Sequence, residues 1–125
     1  MAKAPALIFL IDGLDVSAYA SLEDVAFDIE PVDAKDHDFL ICDAEGRLVQ
    51  LSTDRGYVTA SLVEAEPTHA GDLETALRKF LGAMREPLAD DPTCDLVCLV
   101  ETCRKFVKVT HRPKNMFQQV WRKLF

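Results

Sequence analysis

The sequence of 125 residues predicts an α+β domain: a mostly antiparallel sheet, made of an N-terminal strand and a three-stranded meander, with helices packed on one face. Apolar and polar side chains alternate between residues 38 and 64, and this period of two is typical of half-buried strands. Before and after that region, apolar side chains recur at the spacing of one helical face. Because strands and helices are grouped along the chain and do not alternate, the α+β class is favoured over the α/β class.

The first two predicted elements are a strand over residues 6–11 and a short helix over residues 22–29. The strand is an apolar run that is closed by a turn sequence. Ser21 is predicted to cap the helix by accepting a hydrogen bond from the backbone N–H of Asp24. Pro31 ends the helix, because the residue before a proline avoids the α conformation. The helical face is formed by Leu22, Val25, Ala26 and Ile29.

The meander is predicted from three alternating segments with turn residues between them. The strands cover residues 38–43, 47–53 and 57–64. The turns fall at residues 44–46 and 54–56, and the second is predicted as a three-residue hairpin loop whose glycine takes a positive φ. This alternation is the strongest structural signal in the sequence.

Two further helices are predicted after the meander, separated by a polar connection over residues 86–93. Thr68 or Asp72 is expected to cap the first of them. Asp91 is expected to cap the second, because it precedes a proline that suits the first helical position. Two alternatives stay open for residues 107–110. The helical spacing up to Phe106 favours a continuation of this helix, and the β-branched side chains in the segment favour a strand. The apolar faces consist of Leu73, Leu77, Phe80, Leu81 and Met84, and of Leu96, Leu99, Val100, Cys103 and Phe106.

The formal net charge of -7 is unevenly distributed along the chain. Residues 1–100 carry 20 acidic and 7 basic side chains, whereas residues 101–125 carry 1 acidic and 7 basic side chains. In the last segment, apolar residues recur at helical spacing between the cations. We therefore expect one domain over residues 1–110 and a basic amphipathic helix over residues 111–125. Docking of this helix on its own domain is favoured over docking on a partner.

The four cysteines are interpreted as reduced, buried hydrophobic residues of a cytoplasmic protein: Cys42, Cys94, Cys98 and Cys103. A chain of this length can bury a core without disulfides, although the even count permits two. On a helix, Cys94 and Cys98 lie one turn apart, which is the spacing of half a zinc site. We favour the interpretation that they are packed core residues over the interpretation that they bind zinc. No apolar run reaches the roughly 18–20 residues of a transmembrane helix, and acidic residues interrupt the apolar N-terminal stretch, which disfavours a signal peptide.

No motif of a common enzyme class occurs in the sequence. It has no glycine-rich loop for phosphates, no G-x-G-x-x-G and no G-x-S-x-G. The acidic residues between positions 33 and 43 lack the spacing of a calcium-binding loop. His37 is a candidate general base, but the sequence shows no recognisable nucleophile or oxyanion site for it to act with. We therefore expect a protein without enzymatic activity, cofactor or metal.

The segment between residues 12 and 45 contains 11 acidic residues and one basic residue, Lys35. Such a density of negative charge attracts a basic partner and repels nucleic acid and anionic membranes. The predicted partner is therefore a basic protein, and neither nucleic acid nor a membrane. Solubility alone is the alternative interpretation of the charge.

A small acidic α+β chain without a catalytic set resembles the immunity proteins that bacteria make against their own secreted toxins. The resemblance covers residues 6–84 and lies in size, acidity and the layout around DAEGRLVQLSTDRGYVTASLVE and DLETALRKFLGAM. It implies tight binding of a cationic toxin domain, often a nuclease, and blockade of its active site. Carboxylates then take the place of substrate phosphates, and an exposed aromatic residue anchors the contact. The candidate partner-binding residues are Asp28, Glu30, Asp33, Asp36, Asp38 and Tyr57.

A structural or adaptor domain is the alternative function. The meander or the C-terminal helix then mediates self-association, for example as a homo-dimer, or contact with another protein. On this hypothesis, deletion of residues 111–125 abolishes association without unfolding residues 1–100.

Overall fold

The computed structural model describes residues 7–30, 33–34 and 39–111 of the chain. Six strands and three α-helices lie in these ranges, which confirms the predicted α+β class. The strands are β1 (Ile8–Asp12), β2 (Asp15–Tyr19), β3 (Leu40–Asp43), β4 (Val49–Asp54), β5 (Tyr57–Leu62) and β6 (Val109–Thr110). The helices are α1 (Leu22–Asp28), α2 (Ala70–Ala83) and α3 (Leu96–Cys103), with a 3-10 helix at Pro87–Asp90.

Four strands form the central sheet in the order β3-β1-β2-β6. β1 pairs antiparallel with both β2 and β3, so that Phe9 lies opposite Ala18 on one side and Cys42 on the other. β6 pairs parallel with β2 at the edge, where Val109 lies opposite Ala18. Of the two alternatives for residues 107–110, the structure therefore has a short strand.

β2 is an element that the sequence analysis did not predict. The strand Asp15–Tyr19 is short, and only its last two residues are buried, so its alternation is weak. A two-residue turn at Gly13 and Leu14 folds it back onto β1, with Asp12 opposite Asp15. Gly13 has a φ of +63°, a conformation that favours glycine at the first central position of such a turn.

The three strands predicted as one meander are divided between two sheets. β3 belongs to the central sheet, whereas β4 and β5 form a separate two-stranded hairpin. An isolated antiparallel bridge between Cys42 and Leu48 connects β3 with β4. The predicted three-residue loop is also wrong, because Arg55 and Gly56 form a two-residue turn in which both have a positive φ. The chain turns tightly between β3 and β4, where the Gly46 N–H donates to the carbonyl oxygen of Asp43 at 3.0 Å.

The central sheet has a hydrophobic core on each face. On one face, Phe9 and Cys42 lie in a cluster with α2 and α3. On the other face, Ile8 and Leu10 lie in a cluster with α1 and the hairpin. Successive residues of β1 thus serve different cores, as the period of two in a strand requires. The two longer helices, α2 and α3, pack on the same face of the central sheet, as predicted. α1 packs on the opposite face, in the cluster that contains Tyr19, the last residue of β2.

The start of α1 agrees with the sequence prediction and the start of α2 does not. The Ser21 hydroxyl oxygen accepts a hydrogen bond from the Asp24 N–H at 3.2 Å. α2 begins after His69, whose side chain makes no capping hydrogen bond, so neither Thr68 nor Asp72 caps this helix. The Thr68 hydroxyl instead lies 2.9 Å from Nδ1 of His69.

The cap of α3 is Asp95 and not the predicted Asp91. The carboxylate of Asp95 accepts a hydrogen bond from the Cys98 N–H at 3.0 Å. Asp91 accepts from the Thr93 N–H at 2.9 Å and so stabilises a turn before the helix. Cys94 therefore precedes α3, whereas Cys98 lies in its first turn.

The predicted basic helix over residues 111–125 lies outside the described residues, apart from His111. β6 ends directly before this segment, at Thr110. Among the helices that the structure describes, none has the length and apolar character needed to cross a membrane.

Candidate functional site

The N-terminal part of the fold carries carboxylates without any lysine or arginine. No basic residue occurs between positions 4 and 34 of the sequence. The acidic residues of this stretch are Asp12, Asp15, Glu23, Asp24, Asp28, Glu30 and Asp33. A run of sequence that holds carboxylates and no basic residue raises a negative potential around the elements that carry it, here β1, β2 and α1.

The two carboxylates in the first turn of α1 have different environments. Asp24 is buried and accepts a hydrogen bond from the Ser21 hydroxyl at 2.7 Å. Glu23 is exposed. Both stabilise the start of the helix through the positive end of its dipole. Asp24 therefore serves the fold, whereas the charge of Glu23 faces solvent.

Asp28 is the best-defined carboxylate of the predicted set. It is exposed, and its Oδ2 accepts a hydrogen bond of 2.7 Å from the hydroxyl of Tyr19, which is itself buried. Tyr19 thereby fixes the position of this carboxylate at the last turn of α1. A negative charge at that end of a helix opposes the helix dipole, so helix stability does not account for an aspartate here.

The structure places two further predicted carboxylates directly after α1. Glu30 is exposed and Asp33 is half-buried. The backbone carbonyl of Glu30 accepts from the Ala34 N–H at 3.0 Å. The other two predicted carboxylates, Asp36 and Asp38, lie outside the described residues. The exposed residues Glu23, Asp28 and Glu30 are called the α1 surface below.

Tyr57 is exposed, but it does not share a face with α1. The side chain is 70 % exposed at the start of β5, opposite Asp54. The next residue, Val58, is buried in the same cluster as Val25 of α1 and Ile29, which follows this helix. Since neighbouring residues of a strand point to opposite faces, Tyr57 lies on the outer face of the hairpin. The structure therefore separates the predicted aromatic anchor from the α1 surface.

The corner between β3 and β4 contains a buried ion pair that the sequence analysis missed. Asp43 and Arg47 are 2 % and 5 % exposed. The Asp43 carboxylate accepts from the Nε of Arg47 through Oδ2, and from the backbone N–H groups of Arg47 and Glu45 through Oδ1 at 2.8 and 3.0 Å. Its hydrogen-bonding capacity is thus used inside the fold. Two oppositely charged residues four positions apart at a turn sequence were the available signal.

The cysteines fall into two classes. The prediction of four reduced cysteines is wrong for Cys94 and Cys98, which form a disulfide. Cys42 and Cys103 are free, and they behave as the buried hydrophobic residues that were predicted. Burial raises the pKa of each of these two thiols to about 12, with the nearby carboxylate of Asp43 adding to the effect at Cys42.

Two features of the described residues bear on metal and ligand binding. It contains no group of three or more His, Cys, Asp or Glu side chains that could hold a metal ion. An open groove of about 370 Å³ lies between β3 and β4. Its described lining is mostly apolar: Ala34, Phe39, Ile41, Leu48, Val49, Gln50, Leu51 and Val63. His37, the candidate general base, lies outside the described residues.

Comparison of the chain with protein-family models, curated proteins and solved structures found no match. The functional interpretation therefore depends on the residues and the geometry given above. Among the features of the described residues, the α1 surface combines exposure, like charge and a fixed carboxylate.

Proposed function

We propose that the chain is a non-catalytic cytoplasmic binding protein of the immunity or inhibitor type, which neutralises a basic partner such as a bacterial toxin domain. The observation that carries the proposal is the α1 surface, where exposed carboxylates lie in a stretch without a basic residue from position 4 to 34. Such a surface accelerates encounter with a cationic protein and disfavours anionic ligands.

The environment of Asp28 supports a role in recognition. A carboxylate that is held in place loses less side-chain entropy when it meets a lysine or arginine of a partner. Tyr19 holds Asp28 in this way through the 2.7 Å hydrogen bond. On a nuclease domain, carboxylates at such positions take the place of the substrate phosphates and so block the cationic active site.

The proposal is tested with two variants, each of which removes three negative charges from a different part of the molecule. The test variant is Glu23→Gln, Asp28→Asn, Glu30→Gln. The control variant is Asp72→Asn, Asp90→Asn, Glu101→Gln, which removes the same charge from exposed positions of α2, the 3-10 helix and α3. These three elements pack on the opposite face of the central sheet, so the two variants differ in location and not in net charge.

The wild-type chain and both variants serve as baits for the products of the neighbouring reading frames. We expect a basic protein to be retained by the wild-type chain and the control variant, to be lost from the test variant, and to be released at about 0.5 M salt. Its activity is expected to be inhibited by the wild-type chain. Equal retention by the test variant contradicts the proposal. Retention of only a second copy of this chain supports the adaptor alternative instead.

A further inference from the structure

We propose that the Cys94–Cys98 disulfide is a reversible redox site, at which the folded protein exchanges two electrons and two protons with a dithiol. The two cysteines are four positions apart, with their Cα atoms separated by 5.1 Å. They lie where the turn after the 3-10 helix meets α3, on the face of the sheet opposite to the α1 surface. The inference therefore does not depend on the proposed function.

Hydrogen bonds hold the disulfide-bearing segment in place independently of the covalent bond. Arg78 of α2 donates from its guanidinium to the carbonyl oxygens of Ala89, Asp91 and Cys94, at 3.0, 3.1 and 2.7 Å. Asp95 accepts from the Cys98 N–H at 3.0 Å. Both cysteines are thus positioned by contacts of their backbone atoms, which do not involve the sulfur atoms.

The bond also closes a very short loop. A disulfide stabilises a protein mainly by restricting the unfolded chain, and the effect grows with the length of the loop that it closes. Because Cys94 and Cys98 are four residues apart, the stabilisation expected from their disulfide is small. The disulfide therefore contributes little to stability, because the loop that it closes is short and hydrogen bonds hold the same segment. The fold is expected to persist when the bond is broken.

The two cysteine residues differ in their exposure to solvent. Cys94 is 2 % exposed, whereas Cys98 is half-buried and follows Val97, which is 70 % exposed. Access favours attack at the sulfur of Cys98. A thiolate of the dithiol forms a mixed disulfide with Cys98 and releases the sulfur of Cys94, which takes up a proton. The second thiol of the dithiol then displaces Cys98, so both cysteines end as thiols and the dithiol ends as a disulfide.

The other two cysteines are poor competitors in this exchange. Cys42 and Cys103 are buried, and the pKa of each is raised to about 12, so both remain protonated at neutral pH. The thiolate is the form that attacks a disulfide. Reshuffling of the Cys94–Cys98 bond onto Cys42 or Cys103 is therefore slow while the chain is folded.

The experiment is a redox titration of the full chain in mixtures of reduced and oxidised dithiothreitol without denaturant. Samples are quenched, unfolded and alkylated, and peptide mass spectrometry assigns the modified cysteines. We expect the oxidised form to be alkylated at Cys42 and Cys103, and the reduced form at all four cysteines. Both forms are expected to have the same far-UV circular dichroism, and reduction is expected to lower Tm by about 10 °C or less. Oxidised dithiothreitol is expected to restore the bond.

Two outcomes overturn the proposal: the bond is reduced only when denaturant unfolds the chain, or the native dithiol does not re-form it. Cys98→Ser is expected to abolish the two-electron exchange, whereas Cys103→Ala is expected to retain it. If Cys98→Ser does not fold, the titration of the wild-type chain decides the question, because it compares two redox states of one polypeptide.

Discussion

Two groups of carboxylates in this protein share the same chemistry and differ in their surroundings. Asp43 is buried, and its oxygens accept hydrogen bonds from Arg47 and Glu45. The α1 surface presents its carboxylates to solvent in a stretch without basic residues. The carboxylate of Asp43 is therefore enclosed by the fold, whereas Glu23, Asp28 and Glu30 are accessible at the surface. The acidic residues therefore differ in location: Asp43 serves the fold, and the exposed carboxylates carry the proposed recognition of a basic partner.

The corner that contains Asp43 also joins three elements. The carbonyl oxygen of Gly46 accepts from the N–H of His69, the residue before α2, at 2.9 Å. Gly46 has a φ of +91°, and a Cβ at this position would collide with the backbone of Ala70. The corner thus fixes β3, β4 and the start of α2 relative to one another, whereas the α1 surface contacts a neighbouring element through the hydrogen bond from Tyr19 of β2 to Asp28.

The largest effect on stability is expected from Asp43→Asn. The substitution removes the buried negative partner of the Arg47 guanidinium, which typically costs about 3–5 kcal/mol of the free energy of unfolding. Urea denaturation measures the loss. Glu45→Gln is the matched control, because the Glu45 side chain is 67 % exposed and 3.6 Å from Arg47, and we expect a change within about 0.5 kcal/mol. Equal losses in the two variants contradict the distinction between buried and exposed carboxylates.

The next effect concerns the glycine of the same corner. Gly46→Ala combines a positive φ with a collision against Ala70, and we expect a loss of about 2–4 kcal/mol. Gly56→Ala has a similar φ of +82° but open space around the new Cβ, so we expect only about 1 kcal/mol. Thermal or urea unfolding of both variants compares them. A loss at Gly56 as large as that at Gly46 shows that backbone conformation, and not the contact with α2, is responsible.

The alkaline pH dependence of stability extends the comparison to a buried thiol. Burial raises the pKa of Cys103 from 9.0 to about 12, so the unfolded thiol ionises at a lower pH than the native one. Its contribution to stability is complete below pH 9 and is lost as the pH rises from 9 to 12, by up to about 1.4 kcal/mol per pH unit.

Cys103→Ala isolates this contribution. The variant is less stable than the wild-type chain at pH 8 because of the lost packing, and the difference between the two is expected to narrow as the pH rises above 9. Urea denaturation at a series of pH values measures it. A difference that stays constant up to pH 10.5 means that this thiol ionises alike in the folded and unfolded chains.

The smallest effect on stability is expected at the α1 surface. Glu30→Gln changes an exposed carboxylate, and we expect a shift within about 0.5 kcal/mol in urea denaturation. Tyr19→Phe removes the hydrogen bond to Asp28 and is expected to cost about 1 kcal/mol. A loss at Glu30 comparable to that at Asp43 means that the α1 surface serves folding after all.

The sequence predicts those features of the fold that depend on local periodicity. The class, the cap at Ser21 and the hairpin strands β4 and β5 follow from patterns of a few residues. β2 was missed because five residues with only two buried positions carry too weak an alternation. The division of the meander was missed because alternation predicts each strand but not how many residue pairs it forms with its neighbour, and β3 is joined to the start of β4 by the isolated Cys42–Leu48 bridge.

The sequence predicts that the candidate site is acidic, but it does not predict where its side chains lie in the fold. The acidic segment is visible in the composition, but the burial of Asp24 and the hydrogen bond from Tyr19 to Asp28 require the fold. Tyr57 was predicted as an anchor, and the alternation of β5 places it on another face. The disulfide was missed because both cysteines were assigned to one helix, whereas α3 begins two residues after Cys94.

The central claim is that the position of the carboxylates at the α1 surface, and not the total charge, determines binding of a basic partner. The most direct measurement is the Kd of the retained partner for the wild-type chain, the α1-surface variant and the control variant, by calorimetry at one ionic strength. We expect the α1-surface variant to bind about 100-fold more weakly, a change of about 2.7 kcal/mol, and the control variant to stay within about 3-fold of wild type. Equal weakening in both variants contradicts the claim.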